Sequence, residues 1–175
     1  MHQETVCITG GTGFVGQHLS NRLTKQGYKV RILTRRRERY RKLLVNPGTS
    51  LIETDVHNIA ELRRQFQGVD AIINLVGILN ENGKKGAGFR RVHVELPEKI
   101  VFAAEACGVM RLLQMSALNA DAQEPHSLYL KTRGAGEDLV HAAADKGMVV
   151  TSFRPSVIFG RGDSFFNRFA GLLKM

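Results

Sequence analysis

The sequence contains little cysteine and histidine and no long apolar run. Its two cysteines, Cys7 and Cys107, exclude a disulfide framework, and its six scattered histidines lack the pairing of a zinc site, so we predict no bound metal. No apolar run approaches the ~20 residues of a membrane-spanning helix, and the polar opening does not resemble a signal peptide. These absences favour a cytoplasmic protein in a reducing compartment, without a membrane span.

What the sequence has in excess is positive charge. The net charge is +9, and much of it lies in one run, Arg31–Lys42. Such a run suits nucleic acid, an anionic surface or a bound phosphate, although most basic runs simply face solvent. The hydrophobic fraction of 43% and the length of 175 residues are those of one domain with a sizeable core.

Strand-like and helix-like segments alternate along the chain. The helical segments end at Gly27, Gly68 and Gly108, and the fourth strand-like segment is almost continuously apolar, as in a sheet covered on both faces. Six segments have the pattern of strands: Val6–Thr9, Lys29–Thr34, Leu51–Thr54, Ala71–Gly77, Arg111–Ser116 and Met148–Pro155. Six strands joined by helices predict an α/β fold with a doubly wound parallel sheet.

A glycine-rich junction joins the first strand to the first helix. Glycine is poor in both elements, so Gly10, Gly13 and Gly16 indicate a need for bare backbone. Gly10 suits a tight turn out of the strand, Gly13 a close approach to a pyrophosphate, and Gly16 the packing of the helix against the sheet. The N-terminus of that helix favours an anion. The pattern therefore predicts a dinucleotide-binding site.

The residues after the second strand indicate which dinucleotide binds. An NAD site usually has a carboxylate there for the 2′-hydroxyl of the ribose, whereas Thr34 is followed by Arg35, Arg36 and Arg37. Guanidinium groups suit a 2′-phosphate instead. We therefore predict NADP as the cofactor, with NAD as second choice, and assign the phosphate to Arg35 and Arg36. Arg37 and Arg39 are expected only to face solvent.

Several motifs together resemble the extended and atypical short-chain dehydrogenases/reductases. TGGTGFVG matches that family's TGxxGxxG loop, TDV its adenine-holding pair, NLVG the strand that passes the cofactor ribose, and FRPSVIFG the segment beside the nicotinamide. These matches extend over nearly the whole chain and imply a NAD(P)-binding Rossmann fold. Carried over position by position, they implicate these cofactor-binding residues: Gly10, Thr12, Gly13, Phe14, Val15, Gly16, Asp55, Val56, Leu75, Val76, Gly77, Ser116, Tyr129 and Pro155.

Finer motifs resemble one branch of that family. VHVELPEKI, MSALNAD and FNRFA are most similar to the branch that contains the nucleotide-binding accessory subunit of respiratory complex I. Its bacterial relatives are often labelled nucleoside-diphosphate-sugar epimerases by fold alone. The resemblance implies a structural or sensing role for the nucleotide. It also implies a respiratory-complex partner and, as an alternative location, a peripheral place at the inner side of the respiratory membrane.

The catalytic pattern of the family is only partly present. In active members a Ser orients the substrate, a Tyr transfers the proton, and a Lys one helical turn later lowers the pKa of the Tyr. Ser116 and Tyr129 match the first two, but Arg133 stands in the Lys position and Lys131 lies on another face of the helix. Arginine keeps the charge but stays protonated, so it cannot relay a proton. His93 stands where the family has a supporting Asn, and we expect it to be structural.

The C-terminal residues are strongly apolar. Five large side chains at helical spacing predict either self-association through an apolar helix or disorder of it: Phe165, Phe166, Phe169, Leu172 and Leu173. Because extended family members continue into a region that closes over the substrate, we expect the C-terminal substrate region to be absent or truncated. We therefore divide the chain into a NAD(P)-binding domain, residues 1–160, and the start of a C-terminal region, residues 161–175.

The sequence leaves three functions open. The leading one is a NADP(H)-binding domain of an atypical short-chain dehydrogenase/reductase with a structural or sensing role. The second is an active NAD(P)-dependent reductase or nucleoside-diphosphate-sugar epimerase, in which Tyr129 moves the proton and Ser116 orients the oxygen. The third, an NADP-sensing nucleic-acid-binding regulator, depends on the Arg31–Lys42 run alone, so nucleic acid is the partner that we expect least.

Overall fold

The chain forms a parallel sheet with helices on both faces. The computed structural model describes residues 3–81, 85–123 and 126–163. Within these residues the strands are β1 (Thr5–Thr9), β2 (Lys29–Thr34), β3 (Thr49–Glu53), β4 (Ala71–Asn74), β5 (Arg111–Met115) and β6 (Val149–Phe153). The α-helices are α1 (Phe14–Lys25), α2 (Ile59–Phe66), α3 (Ala87–Arg90), α4 (Leu96–Ala106) and α5 (Leu128–Ala142). The apolar helix predicted from Phe165 to Leu173 lies outside the described residues.

The strand order confirms the doubly wound sheet. The order is β3-β2-β1-β4-β5-β6, and all neighbouring strands are parallel. Thr9 at the end of β1 is opposite Leu33 of β2 on one side and Asn74 of β4 on the other. The carboxyl ends of β1 and β4 therefore meet where the strand order reverses, which is where open α/β sheets bind ligands.

The fourth strand ends earlier than the sequence predicted. We expected it to reach Gly77, but β4 ends at Asn74. The Asn74 side-chain oxygen accepts the Val76 N–H at 3.2 Å, while the Leu75 N–H donates to the Thr9 carbonyl at 2.9 Å. An Asn that bonds the backbone two residues on makes a turn, so the chain bends away from the sheet here.

Two apolar layers cover the two faces of the sheet. On one face, α2, α4 and α5 contribute Phe66, Ile100 and Val140 to the core. On the other, Leu19 of α1 and Leu43 of a 3₁₀-helical stretch (Glu38–Val45) pack against β1, β2 and β3. Within the described part of the chain, no helix combines the length and apolarity needed to cross a membrane.

Two glycines let α5 approach its neighbours closely. A Cβ at Gly136 would lie 1.8 Å from the carbonyl oxygen of His93, which belongs to a π-helical segment, Arg91–Glu95, between α3 and α4. A Cβ at Gly134 would lie 2.5 Å from the backbone of Asp121. Glycine is therefore required for packing at both positions, despite its poor helix propensity.

Replacing Gly136 with alanine should destabilise the protein. Alanine gains about 1 kcal/mol over glycine in a helix interior, but the added Cβ must displace the His93 carbonyl, and overpacking of this kind costs about 1–3 kcal/mol or more. We expect a net loss in the free energy of unfolding, measured by urea denaturation. Lys131→Ala, an exposed change on the same helix, should stay within about 0.5 kcal/mol of wild type. A Gly136→Ala protein as stable as wild type would contradict the close contact.

Candidate functional site

The turn after β1 brings bare backbone to the carboxyl edge of the sheet. Gly10 has φ +75°, and a Cβ there would lie 2.9 Å from the backbone of Leu75 and Val76. A Cβ at Gly16 would lie 2.4 Å from the Cα of Gly11, so only a glycine lets the helix pack this close to the turn. Gly13 is exposed and has only the Gly10 carbonyl nearby, at 3.3 Å. The three glycines therefore have the geometry that their spacing predicts, with the open side at Gly13.

Helix α1 begins at this turn without a side-chain cap. Gly13 is its N-cap residue, in extended conformation, and no side chain accepts the N–H groups of the first turn. The backbone N–H groups at Phe14 and Val15 have no acceptor within the helix. Free N–H groups and the helix dipole together form a binding site for an anion such as a pyrophosphate.

A cleft of about 510 Å³ lies beside this turn. Its size suits a cofactor or a similar small molecule. It is lined by Gly10, Thr12, Leu33, Thr34, Arg35, Arg36, Arg39, Tyr40, Val56, His57, Val76, Gly77, Ile78 and Val92. Three arginines and no carboxylate are among these residues, so the lining of this cleft is positively charged.

The basic run divides between the cleft and the rest of the surface. Arg35 and Arg36 line the cleft, and neither side chain bonds any described residue. Arg37 turns away, because its Nε donates to the Leu51 carbonyl at 3.1 Å. Arg31 also points elsewhere, donating to the carbonyls of Gln65 and Gln67 at the end of α2. The run therefore does not present one continuous basic surface.

Arg39 corrects one expectation. The sequence suggested that it only faces solvent, but it lines the cleft together with Tyr40, over whose ring its guanidinium lies at 5.9 Å. Arg39 lies in the 3₁₀ stretch that follows β2, whereas Arg35 precedes it, so no periodicity in the sequence linked the two arginines. Arg41, in contrast, pairs with Glu38 at 3.3 Å and does not line the cleft.

The two residues of the Asp-Val pair after β3 line two different, neighbouring clefts. Val56 is buried and lines the first cleft, while Asp55 lines an adjacent one of about 690 Å³ and accepts the His57 N–H at 2.9 Å. His57 lines both clefts, and its buried Nδ1 has no hydrogen-bond partner among the described residues. Burial, with Arg91 and Lys99 nearby, lowers the pKa of His57. Sequence reasoning missed His57, whose only signal was its place directly after the pair.

Ser116 is hydrogen-bonded to a buried carboxylate. Its hydroxyl donates to Glu137 Oε2 at 2.5 Å, and Arg154 Nε donates to both oxygens of Glu137 at 2.9 and 3.0 Å. Ser116 and Glu137 are both buried, and neither lines a cleft. Glu137 also escaped the sequence analysis, since a carboxylate two turns after Tyr129 on the same helix gives no local sign that it will be buried.

Tyr129 lies in an aromatic cluster with Phe89 and His93. Its ring packs edge-on against His93 at 5.4 Å and Phe89 at 6.0 Å, and its hydroxyl bonds no described residue. His93 Nε2 accepts the Ile78 N–H at 3.3 Å, so Nδ1 carries the proton and donates to Thr132 Oγ1 at 3.0 Å. Burial and the neighbouring Arg133 lower the pKa of His93 to about 3. His93 is therefore neutral and both of its ring nitrogens are hydrogen-bonded, as the structural role expected for it requires.

Arg133 contacts the backbone and not the cleft. It is 7% exposed, and Nη1 donates to the carbonyls of Met115 at 2.9 Å and Val76 at 3.4 Å. Lys131 is exposed on another face of α5, as predicted. Pro155 also lies away from both clefts, where its carbonyl accepts the Leu118 N–H at 2.8 Å. Half of the sixteen predicted nucleotide-binding residues line the two clefts: Gly10, Thr12, Arg35, Arg36, Asp55, Val56, Val76 and Gly77. The other half do not, and neither does Arg133: Gly13, Phe14, Val15, Gly16, Leu75, Ser116, Tyr129 and Pro155.

Comparisons with known proteins agree with this geometry. Residues 6–173 match the model of the NAD dependent epimerase/dehydratase family. By structure, UDP-glucuronic acid 4-epimerase from Bacillus cereus, solved in complex with NAD, superposes with a TM-score of 0.81 at 21% identity. That comparison covers 97% of this chain and 64% of the epimerase, and at this identity it shows the shared fold alone.

Curated relatives include a respiratory subunit and a reductase. NADH dehydrogenase [ubiquinone] 1 alpha subcomplex subunit 9 of Mus musculus is 32% identical over 93% of this chain and 43% of its own length. The ceramide reductase of Caulobacter vibrioides is 34% identical over 91% of this chain and 48% of its own length. The chain thus spans about half the length of the curated relatives that it matches. By the family match over nearly its whole length, this chain belongs to the NAD-dependent epimerase/dehydratase family.

Proposed function

We propose that this chain is a NADP(H)-binding domain in which the nucleotide has a structural or sensing role. The observation that carries the proposal is the cleft wall, where Arg35, Arg36 and Arg39 stand without a carboxylate. A 2′-phosphate adds about two negative charges near neutral pH. Guanidinium groups bind phosphate oxygens through paired hydrogen bonds. A carboxylate that would prefer the 2′-hydroxyl of NAD is missing from this lining.

Each part of the dinucleotide has residues that fit it. The exposed backbone of Gly13 and the uncapped start of α1 suit the pyrophosphate. Val56 and Asp55 border the space proposed for the adenine, and Arg35 and Arg36 are placed to bind the 2′-phosphate. Gly77 and Val76 form the opposite wall. When bound, the nicotinamide supplies hydride chemistry, but nothing in this proposal requires turnover.

The hydrogen bonds of two side chains in the family's proton-transfer positions support a binding role for the site. The Ser116 hydroxyl donates a hydrogen bond to Glu137, and Arg133 Nη1 donates to two backbone carbonyls. An arginine stays protonated at all ordinary pH values, so it cannot pass a proton on. The respiratory relative adds support for a partner in a respiratory complex and, with it, a peripheral place at the inner side of the respiratory membrane.

An active NAD(P)-dependent reductase is the second candidate. The ceramide reductase relative favours it, as does a 3-beta-hydroxysteroid dehydrogenase of Mycolicibacterium neoaurum that is 28% identical over 97% of this chain. In this role Tyr129 would donate the proton to the substrate oxygen, while the positive charge of Arg133, 5.5 Å from the Tyr129 ring, would favour the phenolate left behind. Ser116 would first have to release Glu137.

The proposed cofactor preference is testable by calorimetry. NADP⁺ should bind more tightly than NAD⁺, and the double variant Arg35→Ala/Arg36→Ala should lose this preference, at roughly 1.5–3 kcal/mol per charged hydrogen bond. Arg41→Ala removes a charge from the same run but from the side that faces away, so its preference should equal that of wild type. Equal affinity of the unmodified protein for the two dinucleotides would refute the proposal.

The two candidate functions predict different turnover. If the nucleotide is structural or sensing, the chain should show little or no NADPH oxidation with ketone, aldehyde or sugar-nucleotide substrates, followed by the absorbance of the reduced nicotinamide. Turnover that disappears in Tyr129→Phe and persists in Tyr28→Phe, a change in the apolar layer away from both clefts, would instead establish the reductase.

A further inference from the structure

Gly77 and Arg133 compete for the same space behind the cleft. Gly77 lines the cleft, and a Cβ at this position would lie 1.8 Å from Arg133 Nη2 and 2.8 Å from its Cζ. Atoms do not approach this closely, so a side chain at position 77 would require the Arg133 guanidinium to leave its present place. An arginine at position 133 can therefore adopt this conformation only beside a glycine.

The guanidinium bridges the ends of two strands. Its Nη1 reaches the carbonyl of Met115, the last residue of β5, and the carbonyl of Val76, just after β4. Its Nε is buried and has no partner among the described residues. The charge is thus held by these two carbonyls and the nearby Tyr129 ring at 5.5 Å. A lysine has a compact ammonium group in place of the planar fork, and it would not reproduce this bridge.

We propose that Arg133 is a positioning residue of the nucleotide site and acts through the Val76–Gly77 backbone. By bonding the Val76 carbonyl and filling the space behind Gly77, it holds the wall that faces the arginines of the cleft. This inference rests on the proposed function, because it assigns a role in binding. In this role Arg133, which stands where the family has a lysine, lies behind the Val76–Gly77 wall. It supports the bound cofactor from there without touching it.

The test combines Gly77→Ala, Arg133→Lys and the double variant, with Lys131→Ala as the exposed control on the same helix. Calorimetry gives the Kd of each protein for NADP⁺ and NAD⁺, and thermal melting shows the temperature range in which all of them are folded. Gly77→Ala and Arg133→Lys should each weaken both dinucleotides about tenfold, the value of one charged hydrogen bond. The ratio of the two affinities should not change, because Arg35 and Arg36 are intact.

The double variant distinguishes a coupled pair from two independent residues. Alanine at position 77 has room once the guanidinium is gone, so the double variant should bind no more weakly than Arg133→Lys alone. Should Gly77→Ala fail to fold, folding restored by Arg133→Lys is the same result, and folding that is not restored overturns the coupling.

Other outcomes refute the role in distinct ways. If the loss of affinity in the double variant equals the product of the losses in the two single variants, the two residues act independently. Unchanged affinity in Arg133→Lys would refute the positioning role and leave the NADP site standing. A selective loss of NADP⁺ would mean that the guanidinium contacts the 2′-phosphate itself. A wild-type chain that binds neither dinucleotide would refute the proposed function and this role together.

Discussion

A buried hydrogen-bond ladder holds the carboxyl edge of the sheet together. Thr9 Oγ1 donates to Asn74 Oδ1 at 2.7 Å, and Asn74 Nδ2 donates to Gln114 Oε1 at 2.9 Å, which joins β1, β4 and β5 beneath the cleft. Polar groups buried this deeply are costly unless every one is paired, so the ladder tolerates one register of the three strands. That register brings Gly10 against the Leu75–Val76 backbone, and the floor of the cleft depends on it.

At the same edge, some of the polar groups face the cleft and others are directed into the protein. Backbone groups and arginines face the cleft, whereas the hydroxyl of Ser116 and the guanidinium of Arg133 are directed into the protein. Arginines and the bare backbone of Gly10 and Gly77 line the cleft, and the first N–H groups of α1 lie at the turn beside it. Of the groups that the family uses for proton transfer, Ser116 and Arg133 bond the protein itself, whereas the Tyr129 hydroxyl bonds no described residue.

Local features of the sequence predicted the fold and the phosphate-facing half of the site. The turn at Gly10 and the packing at Gly16 depend on residues only a few positions apart, so their spacing was sufficient evidence. Contacts between distant segments were not predictable in this way. The bond from Ser116 to Glu137 and the space shared by Gly77 and Arg133 join strand ends to α5, and no periodicity encodes which side chains will meet there. For these tertiary contacts, the sequence identified Ser116 and Arg133 as candidate site residues but did not identify Glu137 or Gly77 as the residues that they contact.

The shared space of Gly77 and Arg133 also restricts the order in which such a site could have evolved. Starting from the lysine of the family that the sequence resembles, a glycine at position 77 would leave only a small void and could be tolerated. An arginine that arrived first, beside any residue with a Cβ, would meet that atom and lose its bridge to Met115 and Val76. On this geometry glycine would have to precede arginine, and the way back would begin with position 133, because a side chain at position 77 meets the guanidinium for as long as the arginine is present.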